Sequence, residues 1–214
     1  MLMVSQVSSR WRRFSLAGFA RARAGTTALE FAIVAIPFLF LLLATLELSL
    51  IFVANTSLQN ATFSAARQIR VGELLAPGMG QTSSNGSAID LADFKAKICK
   101  NMPLMPASSC AANLFVDVRE LTNFTGSMAP SPFSGATLNS NNFCFYSGAS
   151  GSIVEMRVYY LWQVFTPLLL SPLVNTNKVV TSSGFNTGNW FALSSHEVFR
   201  NEPGSSAGNT GASC

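Results

Sequence analysis

The chain has 214 residues, a formal net charge of +4 and a mean hydropathy of +0.33, which allows one ordinary domain with appendages and leans towards a membrane protein. The positive charge is not spread as a nucleic-acid surface would need. Arg10, Arg12, Arg13, Arg21 and Arg23 all precede the first acid, Glu30, whereas the chain beyond residue 53 holds nine Lys/Arg against eight Asp/Glu. No nucleic-acid partner is expected from such a balance.

Residues 1–25 form a basic leader without an amphipathic or apolar core. Residues 31–53 are then apolar apart from Thr45, Glu47 and Ser49. About 20 helical residues cross a hydrocarbon layer of about 30 Å, so this run is long enough to span once. Arginines on its N-terminal side predict that this end stays in the cytoplasm, with the C-terminal portion in a periplasmic or extracellular space. "FVANTS" offers a weak signal-peptidase site, but the apolar run is longer than a signal peptide needs, and a retained single-pass anchor is expected. The helix should continue beyond the membrane, because Leu58, Ala61, Ala65 and Ile69 recur at spacings of three and four. Arg67 and Arg70 suit its C-terminal dipole, Gly72 suits its stop, and Pro37 is a kink that membrane helices tolerate.

A Gly/Ser-rich loop over residues 77–87 precedes "AIDLADFKAKICKNM", a short amphipathic helix with Leu91, Phe94, Ile98 and Met102 on one side. "LFVDVREL" alternates as a strand. Residues 123–152 read as a long loop, with 143–146 a short edge strand. "IVEMRVYYLWQVF" is the clearest strand: Val154, Met156, Val158, Tyr160, Trp162 and Val164 share one face, while Glu155, Arg157 and Gln163 are expected on a solvated one. The prolines and leucines of "FTPLLLSPLV" (residues 165–174) fit either a loop packed over the sheet or a surface for the membrane or a neighbouring subunit. "WFALSSHEVFR" is a further strand, and the last fourteen residues form a tail. The expected fold is α+β: a long N-terminal transmembrane helix extending into a head that has a short helix and a three- to four-stranded antiparallel sheet. The expected divisions are a leader (1–25), a long helix (26–72), a head (73–200) and a flexible tail (201–214).

Four cysteines suit an oxidising compartment. Of the three complete pairings, one joining Cys99 to Cys110 is favoured, because these two flank a short Pro-containing loop; the state of Cys144 and Cys214 stays open. Zinc would need closer CxxC-type spacing than the sequence provides, and no metal or other cofactor is expected. His196 is the single histidine, and HExxH, GxSxG and P-loop patterns are absent. A hydrolase built on His196 is therefore the least favoured function, and no enzymatic activity is expected.

One motif remains. Gly25, four residues, Glu30 and then a membrane helix form a pattern that resembles the processing site of type IV pilins. The stretch "RARAGTTALEFAIVAIPFL" is similar to the N-terminal motif of TadE-like proteins, pseudopilins of tight-adherence (Flp) pilus systems. "SAARQIRVG" and "EVFRNEP" agree with that family more weakly. The resemblance implies a prepilin peptidase that cuts on the cytoplasmic side between Gly25 and Thr26. It further implies Glu30 as the carboxylate that meets a neighbouring subunit's N-terminal amine. The partners it implies are the inner membrane, the peptidase, and other pilins and pilus assembly proteins. Glu47, about 25 Å further along the helix, is a second candidate for pairing between helices or a group at the outer interface. The competing expectation from another class is an uncleaved single-pass protein with a periplasmic binding or sensing domain.

Overall fold

The computed structural model describes residues 26–72, 91–105, 107–124, 130–166, 174–181 and 183–203. The leader with Gly25, the leucines of "FTPLLLSPLV" and Cys214 lie outside these residues. The chain forms two units, one ending at Leu43 and one beginning at Ala44, and helix α1 (Thr26–Arg70) contributes to both.

In the first unit the helix is apolar all round from Phe31 to Leu43 and carries Pro37 within it. Its side chains have no protein cover: Phe31 is 75% exposed and Leu41 62%. A surface of this kind is suited to lipid, and α1 is long and apolar enough to cross a membrane once. A helix can do so because its backbone hydrogen bonds are satisfied internally.

In the second unit α1 changes character. Ile51, Ala54, Leu58, Ala61, Ala65 and Ile69 become buried, an apolar stripe at spacings of three and four. Three of them are alanines, which let the helix axis approach its neighbours closely. The helix stops where Gly72 takes a φ of 72° and its N–H donates to the Ile69 carbonyl at 2.9 Å. An L side chain rarely adopts that conformation, so a glycine here ends the helix at little cost.

Helices α2 (Leu91–Lys100) and α3 (Ala107–Asn113) follow, joined by the Cys99–Cys110 disulfide. The sheet then has six strands: β1 (Leu114–Leu121), β2 (Phe133–Ser134), β3 (Thr137–Asn139), β4 (Ile153–Gln163), β5 (Thr176–Thr181) and β6 (Gly184–Arg200). Their order is β1-β4-β6-β5-β3-β2. This corrects the expected three- to four-stranded antiparallel sheet. The α+β class fits broadly, but the sheet is larger, and β3 runs parallel to β5. The additional strands come from stretches of turn-like composition. β2 and β3 form a tight hairpin in which Gly135 has a φ of 57°, as a first central position of a type II′ turn requires.

One face of the sheet forms the main core. Leu114, Val116 and Val118 of β1, Val154, Met156, Val158 and Tyr160 of β4, and Leu193 of β6 pack with the α1 stripe and with Phe94, Ile98 and Met102. The opposite face corrects a second expectation. Glu155 is 1% and Arg157 7% exposed, so the face expected to be solvated is covered. A smaller apolar cluster on Leu138, Leu161 and Val179, with Phe115, Phe133, Phe143 and Trp190 around it, closes that side.

Candidate functional site

Of the glycine–glutamate motif, the described residues lie at the start of α1. Thr26 is its first residue, and Glu30 follows one turn later. Positions i and i+4 are neighbours on one helix face, so the Thr26 and Glu30 side chains share a side. Glu30 is exposed.

Glu47 has a different environment. It is fully buried, and its two carboxylate oxygens accept backbone N–H bonds from Phe165 and Thr166, each at 2.9 Å. These partners lie 118 and 119 residues away, just beyond the end of β4. A carboxylate that accepts two backbone donors offsets part of its desolvation and pins the loop to the helix. Glu47 thus ties parts of one chain together, and nothing local in "LELSL" announces it.

The two weaker motif stretches also meet. "SAARQIRVG" ends α1 and "EVFRNEP" ends β6. The Glu202 N–H donates to the Arg70 carbonyl at 3.0 Å, satisfying one of the open carbonyls at the helix terminus. Arg70 Nε also lies 3.6 Å from a Glu202 oxygen. Phe63, Ala66, Arg67 and Arg70 line a shallow cavity of about 50 Å³ with Glu197 and Phe199.

Residues 25–67 match the family model of the TadE-like protein. Over these residues the chain is similar to that family. The match suggests a component associated with a tight-adherence pilus, and the apolar helix within it fits a single-pass membrane protein. No curated protein and no solved structure matches the chain. The TadE-like match begins at Gly25 and runs along α1 almost to its end. It takes in both Glu30 and Glu47 and leaves the sheet outside.

Among the described residues, a cluster of buried charges lies outside the matched segment, on the covered face of the sheet. Asp117 is fully buried. Its Oδ1 accepts from Arg119 Nη2 at 2.7 Å and from the Cys144 N–H at 3.0 Å. Its Oδ2 accepts from Arg157 Nε at 3.0 Å and also from Arg157 Nη2. Arg157 Nη1 reaches the Pro130 carbonyl at 2.9 Å, and Arg119 Nη2 the Asn142 carbonyl at 2.8 Å. Burial raises the Tyr159 phenol above its ordinary value; the Arg157 charge opposes this, while Asp117 and Glu155 add to it. His196 Nε2 lies 3.0 Å from Glu155 Oε1 on the same face.

The sequence reading missed this network, although the residues contain a signal for it. When "LFVDVREL" is laid antiparallel to "IVEMRVYYL", Asp117 falls opposite Arg157 and Arg119 opposite Glu155, as the observed register has them. Cys144 is disulfide-bonded as well, and its carbonyl accepts from the Val118 N–H at 2.8 Å. Among the described residues, no three His, Cys, Asp or Glu side chains are grouped to hold a metal ion.

Proposed function

We propose that the chain is a membrane-anchored pseudopilin or minor pilin, a non-enzymatic structural or assembly component of a bacterial tight-adherence pilus. Its N-terminus faces the cytoplasm, its head lies in the periplasm, and its anchor is in the inner membrane. The observation that carries this reading is the TadE-like match, which starts at Gly25 and extends along the helix. A prepilin peptidase cuts after Gly25, where the lack of a side chain leaves the scissile bond accessible. Thr26 becomes the mature N-terminus. Loss of residues 1–25 removes all five leader arginines and takes the net charge from +4 to −1, so the leader sets topology before it is removed.

Glu30 then has a physical reason to lie at the edge of an apolar helix. An unpaired carboxylate is costly at membrane depth, about 2.5–3.5 kcal/mol at the helix centre on insertion scales. A new amine on a neighbouring subunit compensates that charge and is itself compensated. Such pairing favours one axial register between packed helices. The role needs no cofactor; its partners are the peptidase, other pilins and pilus assembly proteins.

N-terminal sequencing of protein extracted from membranes tests the reading. A mature chain that starts at Thr26 is expected, and Gly25→Leu should leave the leader in place. Glu30→Ala should still be processed but should assemble poorly. A persistent Met1 in the unmodified protein would overturn the proposal in favour of an uncleaved binding or sensing protein.

A further inference from the structure

Beside β1, an edge strand of the sheet, a cleft of about 320 Å³ opens between α2 and the strands. It is lined by Leu91, Lys95, Phe115, Ser140, Phe143 and Thr181, among others. Its cation is Lys95, whose Nζ lies 5.5 Å from the centre of the Phe115 ring. Among the described residues no carboxylate pairs with Lys95. Burial holds its amine below the ordinary lysine value, the direction expected when a charge is desolvated without a counter-ion.

The other polar groups of the cleft are largely committed. The Ser140 hydroxyl donates to the Val180 carbonyl at 3.0 Å, and the Thr181 hydroxyl bonds to the Gly184 carbonyl and Ser183. The Lys95 ammonium, which can only donate, is the strongest open group left. Phe143 separates this cleft from a second one of about 150 Å³, lined by Arg119, Arg157, Asn142 and Phe133. Its two guanidinium groups both pair with buried Asp117, and Glu155 is buried on the same sheet face. Both clefts have aromatic walls, and in the first of them Lys95 is the cation.

We propose that the Lys95–Phe115 cleft binds a carboxylate side chain presented by an acidic peptide segment of a partner protein. The aromatic rings receive the aliphatic stem of a glutamate, and the Lys95 ammonium receives its carboxylate as a charge-assisted hydrogen bond. A peptide carboxylate matches the site better than a phosphate group, because one ammonium on an apolar floor balances one negative charge. This inference does not depend on the processing of the N-terminus, and either can fail while the other stands.

The test uses the full chain in detergent micelles, titrated with the peptide acetyl-Ala-Glu-Ala-Glu-Ala-amide, with its glutamine counterpart, and with sodium acetate and inorganic phosphate. Nuclear magnetic resonance reads the Lys95 side chain and its titration. The glutamate peptide should bind saturably and move the Lys95 titration upward. The glutamine peptide, and Lys95→Gln protein with the glutamate peptide, should each bind at least about tenfold more weakly. Phe115→Leu, which keeps the ammonium but removes the ring, should weaken binding by a smaller factor. Equal binding of the two peptides, or binding that survives Lys95→Gln, would overturn the proposal. So would acetate or phosphate occupying the cleft as tightly as the peptide, since the site would then hold an ion only.

Discussion

The two faces of the sheet use the same strands and hold their covering layers by opposite means. Towards α1, β1 and β4 present Leu114, Val116, Val118, Val154, Met156 and Val158, and the contact is apolar packing. On the other face the same strands present Asp117, Arg119, Glu155 and Arg157, and the covering segments are tied down through charges and carbonyls. The first arrangement gains from every methylene removed from water. The second must repay the desolvation of ions, and does so only while each is paired. Alternation in a strand therefore separates two faces without saying that either one is wet.

Three carboxylates grade this contrast. Asp117 lies in the ionic face, Glu47 accepts neutral backbone donors, and Glu202 lies on an exposed rim. The largest effect is expected at Asp117. Asp117→Ala removes the buried carboxylate that Arg157 and Arg119 share and should cost about 3–5 kcal/mol. Denaturant unfolding of the micellar protein, followed by tryptophan fluorescence, measures it. The double replacement Asp117→Leu with Arg157→Met removes both charges and should cost much less than the single change. If the single change cost under about 1 kcal/mol, the ionic face would not be held by its ions and the contrast would collapse.

Glu47→Ala comes next. It deletes the acceptor of two backbone N–H groups, one of them in buried Thr166. A loss of about 1–3 kcal/mol is expected. Hydrogen exchange at the Phe165 and Thr166 amides should quicken, while amides in the middle of β4 keep their protection. Unchanged exchange at both positions would show that the loop is held by something other than Glu47.

What the sequence revealed about this architecture follows from range. The long helix, the Gly72 stop, strands β1 and β4 and the pairing of Cys99 with Cys110 rest on periodicity or on spacing within a few turns, and all are visible locally. β2 and β3 have two and three residues, too few to display a period. β6 begins in "GFNTGN", whose composition reads as a turn, and it becomes a strand because β5 pairs with it. The parallel pairing of Leu138 with Val179 joins segments that nothing nearby connects. The same limit governs the site. The glycine–glutamate spacing of Gly25 and Glu30 is a local motif and could be read directly, whereas the partners of Glu47 come from the far end of β4. The pairing of Asp117 with Arg157 lies between these cases, since it becomes visible once the two strands are aligned.

The smallest effect is expected at Glu202. Its side chain is 54% exposed and that of Arg70 45%, with 3.6 Å between the charged atoms. An ion pair open to solvent is screened and must also immobilise two long side chains, so its net contribution is about 0.2–1 kcal/mol. The backbone bond from the Glu202 N–H to the Arg70 carbonyl does not need the carboxylate. Glu202→Gln should therefore change stability by no more than that amount, and the difference from the unmodified protein should vanish in high salt. Glu202→Pro removes the N–H as well and reopens a carbonyl at the end of α1, so its effect should be larger and insensitive to salt. If the two substitutions behaved alike, the junction between the two motif stretches would be held by charge, and the helix end would not depend on its backbone cap.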